Sequence, residues 1–133
     1  MDDEIARIRE RRLQELKEKM AQPAKIGVAH VDEMHFPEFI RTSKFAVVDF
    51  WAEWCGPCQR IGPVMEELAR EFEGRVAFAK VNTDENRTLA MKYNISAIPA
   101  IMLFANGQLV DRIIGAYPKS AIKEKIVKDF TLK

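Results

Sequence analysis

Four runs of apolar residues along this chain have the length and composition of buried strands. The runs at 45–51 and 76–81 are almost continuously apolar, as in parallel strands that are covered on both faces. The runs at 100–105 and 108–114 flank Asn106-Gly107, a pair that strongly favours a two-residue hairpin turn, so these strands should be antiparallel. The pattern therefore predicts a mixed sheet.

The segments between these runs carry apolar residues at helical spacing. Apolar residues recur every three or four positions from Ile61 to Phe72, between the two parallel strands, which is typical of a strand-helix-strand crossover. Weaker patterns predict a first strand at 26–31, helical segments at 33–43 and 85–93, and a closing helix whose apolar face includes Ile122, Ile126 and Phe130. The predicted fold class is α/β, with a mixed central sheet flanked by helices on both faces.

A further amphipathic helix is predicted ahead of the sheet. Its apolar positions recur among alternating charges: Ile5, Ile8, Leu13, Leu16 and Met20. The step from Ile8 to Leu13 breaks a heptad repeat, which favours a short docked helix over a long coiled coil, and Gln22-Pro23 ends it. We therefore divide the chain into a helical extension at 1–22 and a main domain at 26–133. The apolar stripe should be buried against that domain or against a second chain.

The charge balance limits the classes of partner. The 133 residues include 21 basic and 20 acidic side chains, a net charge of +1, which gives no electrostatic footprint for nucleic acid or an anionic membrane. No apolar run approaches the roughly 20 residues of a membrane span, and the start, Met1-Asp2-Asp3-Glu4, lacks the layout of a secretory signal. We therefore expect a cytoplasmic protein that binds neither nucleic acid nor membrane.

The only two cysteines, Cys55 and Cys58, are three positions apart where the strand at 45–51 gives way to a helix. This spacing places both sulfurs at one helix end, where unpaired N–H groups and the positive end of the helix dipole favour a thiolate. The thiolate is the nucleophile of disulfide exchange, and Cys58, one turn deeper, can close on Cys55. The pair predicts redox chemistry that needs no cofactor, because the dithiol itself carries the two electrons.

Two alternatives to redox chemistry exist for this pair. Two thiolates and two imidazoles make a common zinc site, and His30 and His35 are the only histidines. Structural zinc pairs, however, usually lie on turns of small domains that need the metal to fold, whereas this chain has ample core. A structural disulfide is disfavoured in a reducing cytosol. We therefore expect no metal at this site.

The neighbours of the cysteines fit the same chemistry. Gly56 permits a tight approach, and Pro57 suits the first helical turn, where its missing N–H costs nothing. Trp54 adjoins the reactive cysteine, so we expect it at the rim of the site rather than in the core. Asp49 interrupts an apolar strand, where desolvation would raise its pKa and let it carry a proton near neutral pH. The alternative for Asp49 is a strand-end carboxylate bonded to backbone.

The segment from Asp49 to Cys58, Asp-Phe-Trp-Ala-Glu-Trp-Cys-Gly-Pro-Cys, resembles the active-site segment of the thioredoxin family. The resemblance extends from about Ile26 to the C-terminus and includes Ile98-Pro99. It implies a thioredoxin fold with an additional N-terminal helix. It also implies a protein-disulfide reductase, because Gly-Pro between the cysteines is what reducing thioredoxins carry. The implied partners are disulfide-containing substrate proteins and a thioredoxin reductase or an equivalent electron donor.

The same resemblance implies roles for single residues. In the family, the aspartate that matches Asp49 lies under the cysteine pair and transfers a proton with the buried thiol, here Cys58. Lys80 matches the lysine of the family's buried pair, and a strand lysine that extends to solvent is its alternative. Pro99 matches the cis-proline that faces the cysteines, where the backbone of Ile98 can pair with an extended substrate.

Some points stay open after this comparison of motifs. Gly115 matches a family glycine that leaves room for the bound partner, but a simple strand-ending glycine predicts the same residue. Many thioredoxins carry lysine directly after the second cysteine, whereas this chain has Gln59 and then Arg60, so partner preference is open. The alternative function is a docking or assembly module that contacts its partner through the N-terminal helix and whose redox turnover is incidental. An oxidase or isomerase is a further possibility within the enzyme class.

Overall fold

The computed structural model describes residues 2–21 and 27–133, and these form five helices and five strands. In chain order they are α1 (Asp2–Ala21), β1 (Val28–His30), α2 (Phe36–Arg41), β2 (Phe45–Trp51), α3 (Gly56–Glu71), β3 (Ala77–Asn82), α4 (Arg87–Lys92), β4 (Ala100–Ala105), β5 (Gln108–Ile114) and α5 (Lys119–Asp129). The predicted elements are all present. The predicted helix end at Gln22-Pro23 and strand start at Ile26 lie outside the described residues. Within those residues, no helix combines the length and apolar character needed to cross a membrane.

The strands form one mixed sheet in the order β1-β3-β2-β4-β5. β2 runs parallel to β3, and β5 runs antiparallel to β4, so both predicted pairings are confirmed. β2 also pairs antiparallel with β4, which joins the two halves of the sheet. The β4–β5 turn has positive φ angles at Asn106 (52°) and Gly107 (80°). A turn with φ above zero at both central residues matches the twist of a two-residue hairpin, and Asn-Gly adopts it at little cost.

Both faces of the sheet are covered, which accounts for the continuously apolar strands. On one face, α3 and α5 pack over a cluster that includes Val47, Leu68, Phe78, Ile101 and Ile126. On the other face, α2 and α4 pack over a cluster that includes Phe36, Val48, Phe50, Leu89 and Met102. Alternate residues of β2 therefore enter different clusters, as the two-residue period of a strand requires.

A row of side chains crosses the sheet at the level of Asp49. Asp49 of β2 pairs with Lys80 of β3 on one side and with Ile101 of β4 on the other, and His30 of β1 lies opposite Lys80. Residues in register share a face of the sheet. Ile101 belongs to the cluster under α3, so Asp49 and Lys80 lie on the same face as that helix.

The N-terminal helix α1 does not bury its apolar stripe over residues 3–14. Ile5, Ile8 and Leu13 are 47% to 55% exposed, although the sequence predicts a buried stripe. The prediction that the stripe is buried against the chain's own domain is therefore wrong for these three side chains. Burial against a second chain stays a prediction, because an amphipathic stripe exposed in one chain can be covered by another.

Candidate active site at the start of α3

The two cysteines lie at the junction between β2 and α3, as the sequence predicts. Cys55 is the N-cap of α3, with extended backbone (φ −91°, ψ 106°), and Pro57 occupies the first turn. The backbone N–H of Cys58 donates a hydrogen bond to Sγ of Cys55 at 3.3 Å. Cys55 and Cys58 are joined as a disulfide whose Cα atoms are 5.3 Å apart, and both are buried. The helix N-terminus thus directs a donor at the Cys55 sulfur.

A cis peptide bond places a second chain segment against this disulfide. The Ile98-Pro99 bond is cis, and the carbonyl oxygen of Ile98 lies 3.8 Å from Sγ of Cys55. Ile98 and Trp51 pack against the cluster that contains both cysteines. The predicted proximity of this proline loop to the cysteines is therefore confirmed in geometry.

Backbone geometry accounts for the glycine beyond β5. Gly115 has φ 112°, a region that side chains rarely adopt, and its N–H donates to the carbonyl oxygen of Pro99 at 2.9 Å. A Cβ at this position would also lie 3.6 Å from the ring of Tyr117. The positive φ requires glycine here, whether or not a partner also occupies the space.

Trp54 and Gln59 make side-chain contacts that support the rim of the site. Trp54 is 73% exposed, and its indole N–H donates to the Asp84 carboxylate at 2.9 Å. Asp84 follows β3 and lies 30 positions from Trp54, so no local pattern indicates the contact, and sequence reasoning missed it. Gln59 lies where many thioredoxins carry lysine, and its side-chain amide donates to the carbonyl oxygen of Glu53 at 3.3 Å.

Asp49 is a buried carboxyl group beneath the helix that carries the cysteines. It is 2% exposed, and its Oδ1 has no hydrogen-bond partner among the residues that the structure describes. Burial raises the pKa of Asp49 from 3.8 to about 7, against the opposing effect of the Lys80 charge. A carboxyl group with this pKa exchanges its proton at physiological pH.

Lys80 is half-buried and contacts an aromatic ring. Its Nζ lies 4.6 Å from the centroid of the Trp51 ring, at the distance of a cation–π interaction. Both side chains line a cavity of about 400 Å³, together with His30, Val31, Asp32, Glu53, Asn82, Glu85 and Asn86. Lys80 therefore borders a polar cavity, with its ammonium group against the Trp51 ring.

The two histidines do not converge on the cysteines. His35 pairs with Asp32, with 2.6 Å between Nδ1 and Oδ1, and His30 lies in β1 opposite Lys80. Across the described ranges, no three side chains of the metal-binding types His, Cys, Asp and Glu are grouped to hold an ion. The histidines therefore do not supply the four-ligand zinc site that Cys55 and Cys58 could have completed.

Comparison with known proteins agrees with this geometry. The family model described as Thioredoxin matches residues 13–128. The chain is 44% identical to thioredoxin 1 of Nostoc sp. over 77% of its length and 96% of the relative. It is 47% identical to the chloroplastic M-type thioredoxin of Spinacia oleracea over 76% of its length, but it spans only 56% of that protein.

A solved structure extends the similarity to the fold. The thioredoxin of Plasmodium falciparum superposes with a TM-score of 0.71 at 38% identity, and the match covers 76% of this chain and 98% of that one. The Cys55–Cys58 disulfide lies at the start of α3, as the redox chemistry of the family requires. The protein is a thiol-disulfide oxidoreductase and belongs to the thioredoxin family.

Proposed function

We propose that this protein reduces disulfide bonds of other proteins, with Cys55 as the attacking sulfur and Cys58 as the resolving sulfur. The hydrogen bond from the Cys58 N–H to the Cys55 sulfur supports this order most directly. A donor at a helix N-terminus stabilises a thiolate at Cys55 when the pair is reduced. Cys58 lies inside the first turn of α3, where no equivalent donor is directed at its sulfur in the described contacts.

The reaction conserves two electrons and two protons. The Cys55 thiolate attacks one sulfur of the substrate disulfide, forms a mixed disulfide and releases the other substrate sulfur as a thiolate. The Cys58 thiolate then attacks the Cys55 sulfur and releases the second substrate thiolate. The protein is left with the Cys55–Cys58 disulfide seen here, and a reductase partner returns the two electrons.

Asp49 is the proposed proton acceptor for Cys58. Its position beneath α3 and its pKa of about 7 suit a group that takes a proton from the resolving thiol. Lys80, opposite Asp49 on β3, favours the ionised carboxylate that must accept this proton. Both residues therefore act on the resolving step rather than on the first attack.

The proposed substrate-binding residues surround the Cys55 sulfur. An extended segment of the substrate would pair with the backbone of Ile98 beside cis-Pro99, in the manner of an added strand. The remaining contacts are assigned to the exposed Trp54, to Gly56 and Pro57 at the helix start, and to Gly115 behind Pro99.

We assign residues 1–22 to an extension and residues 26–133 to the redox domain. The family model begins at residue 13, within α1, so the matched region includes part of that helix. The proposed compartment is the cytoplasm, because a reducing environment keeps the dithiol available. The proposed partners are protein disulfides and a thioredoxin reductase or an equivalent donor, with no role for nucleic acid or membrane.

An insulin-reduction assay with dithiothreitol as the electron source tests the proposal. The wild-type protein should accelerate insulin precipitation, and Cys58→Ser should accumulate covalent adducts with insulin chains that a thiol releases. Cys55→Ser is the matched control and should form few adducts. A folded wild-type protein without insulin reduction would instead support the docking or assembly module, which the exposed stripe of α1 allows.

A further inference from the structure

Trp51 is an aromatic residue next to the dithiol that the mechanism above does not use. It is the last residue of β2, two positions after Asp49, so the two side chains lie on the same face of the sheet. Lys80 is the in-register partner of Asp49 on β3 and shares that face. Three side chains from two neighbouring strands, Asp49, Trp51 and Lys80, are therefore grouped under the start of α3.

The contact inside this group is between Trp51 and Lys80. Nζ of Lys80 is 4.6 Å from the centroid of the Trp51 ring, well within the roughly 6 Å range of a cation–π interaction. The indole N–H of Trp51 is buried and has no hydrogen-bond partner among the described residues. Among these contacts, Trp51 therefore interacts with Lys80 through its ring face and makes no hydrogen bond through its indole N–H.

Lys80 has competing partners in the cavity of about 400 Å³ that it lines. The titratable groups around this cavity, besides Lys80, are His30, Asp32, Glu53 and Glu85. Neither these three carboxylates nor Asp49 forms an ion pair with Lys80 within 4 Å in the described part of the chain. A lysine side chain has four rotatable bonds, so an ammonium group that is not held would move toward these carboxylates and away from Asp49.

We propose that Trp51 is a positioning residue whose ring face holds the Lys80 ammonium group on the Asp49 side of the sheet and out of ion-pair contact with the acidic side chains of the cavity. The inference rests on the proposed function in one respect, which is that Asp49 takes the proton of Cys58. Trp51 itself transfers no proton and contacts no reacting atom in this role. It sets how strongly Lys80 favours the ionised carboxylate.

The physical effect falls on the ionisation of Asp49. Burial raises the pKa of Asp49, and the charge of Lys80 is the opposing influence. Asp49 also faces Ile101 of β4, which is apolar, and the helix that carries the cysteines. Lys80 is therefore the cation on which the ionised form depends. Moving one unit charge a few ångströms farther from a buried carboxylate changes its pKa by about one unit at an effective dielectric constant near 20.

An NMR titration of the Asp49 side-chain carboxyl carbon in the oxidised protein tests the positioning directly. Trp51→Leu should raise the Asp49 midpoint by about one pH unit, because it removes the ring face. Trp51→Phe keeps a ring face and gives up no hydrogen bond of the indole, so its midpoint should stay close to the wild-type value. Lys80→Met should raise the midpoint as Trp51→Leu does.

The double variant Trp51→Leu/Lys80→Met separates positioning from packing. If Trp51 acts through Lys80, its replacement adds nothing to the Asp49 midpoint once Lys80 is absent. An equal shift with and without Lys80 would overturn the proposal, since Trp51 would then act on Asp49 by packing alone. A shift in Trp51→Phe as large as in Trp51→Leu would overturn it as well.

A measurement on the wild-type protein covers the case in which Trp51→Leu does not fold. The Cε protons of Lys80 should show an upfield ring-current shift that disappears on unfolding, and its absence would overturn the proposed contact. The pH profile of mixed-disulfide resolution is the separate readout for the proposed function. If the Asp49 midpoint moves as expected but this profile does not, the positioning of Lys80 is supported and the proton role of Asp49 fails.

Discussion

Replacing Asp49 with alanine should stabilise the folded protein at neutral pH. Asp49 is 2% exposed and its Oδ1 finds no hydrogen-bond partner among the described residues. The unfolded chain hydrates this carboxylate, whereas the folded chain must hold it beneath α3 with only Lys80 to offset the lost hydration. Asp49→Ala removes that cost and leaves a small cavity in its place.

The pKa of Asp49 sets the size of this effect and its pH window. The pKa is about 7 in the folded chain and about 3.9 in an unfolded one. Because the folded value is raised, the contribution of Asp49 to stability is fully present below about pH 4 and is lost as pH rises through 7. About three pKa units at about 1.4 kcal/mol each correspond to roughly 4 kcal/mol. After a cavity cost of roughly 1 kcal/mol, the variant should gain about 3 kcal/mol above pH 7.

Guanidinium denaturation of the oxidised proteins between pH 4 and pH 8 measures this difference. The free energy of unfolding of Asp49→Ala, relative to wild type, should rise across the window from pH 4 to pH 7 and then level off. Val48→Ala is the matched control, since Val48 is a fully buried neighbour in the same strand without a titratable group. It should lose about 2 kcal/mol at every pH.

Two results would refute this reasoning about Asp49. One is a difference between Asp49→Ala and wild type that does not change with pH, because the burial of an ionisable group must appear as a pH dependence. The other is a loss of stability in the variant at pH 8. In turnover assays, the same variant should resolve mixed disulfides more slowly. Unchanged resolution would remove Asp49 from the proposed mechanism.

Three further predictions address the cysteines, the carboxyl groups of Asp111 and Asp129, and the N-terminal helix. In the reduced protein at pH 7, iodoacetamide should label Cys55 before Cys58, and the reverse order would reverse their proposed roles. The neighbouring Asp111 carboxyl group raises the pKa of Asp129 to about 6, so the stabilising contribution of Asp129 is present below about pH 4 and is lost as pH rises through 6. Asp129→Asn removes this titrating group and should melt at a higher temperature than wild type above pH 6. A melting-temperature difference between Asp129→Asn and wild type that is the same at pH 5 and pH 8 would contradict the raised pKa. Deletion of residues 1–22 should leave insulin reduction near normal and change self-association in sedimentation, whereas a folded monomer that no longer reduces insulin would contradict a redox domain that works without the extension.

Much of the fold follows from local sequence alone. The strands at 45–51, 100–105 and 108–114 have the predicted bounds, because apolar runs and the Asn106-Gly107 turn specify them within a few residues of chain. The spacing of the cysteines and Pro57 between them likewise place Cys55 at a helix N-terminus without any distant contact.

The environment of the site depends on contacts between distant parts of the chain. The bond between Trp54 and Asp84 spans 30 positions, and the pairing of Asp49 with Lys80 exists only because β2 and β3 are in register. The sequence left two alternatives open for Lys80, a partner in a buried pair and a strand lysine that extends to solvent. The structure shows a half-buried Lys80 whose ammonium group contacts the Trp51 ring at the border of a polar cavity. No periodic pattern predicts such a contact, because it depends on where two strands lie and not on spacing within one.

The sequence by itself determined the secondary-structure elements, two of the strand pairings (β2 with β3, and β4 with β5) and the reacting pair Cys55 and Cys58. Each of these depends on a short period, a turn preference or a three-residue spacing. Only the tertiary structure decided how strongly Asp49 is buried, which ring Lys80 contacts, and that Ile5, Ile8 and Leu13 are left exposed by their own chain. Burial and electrostatic environment are sums over neighbours from many chain positions, so they are defined only once the whole chain has folded.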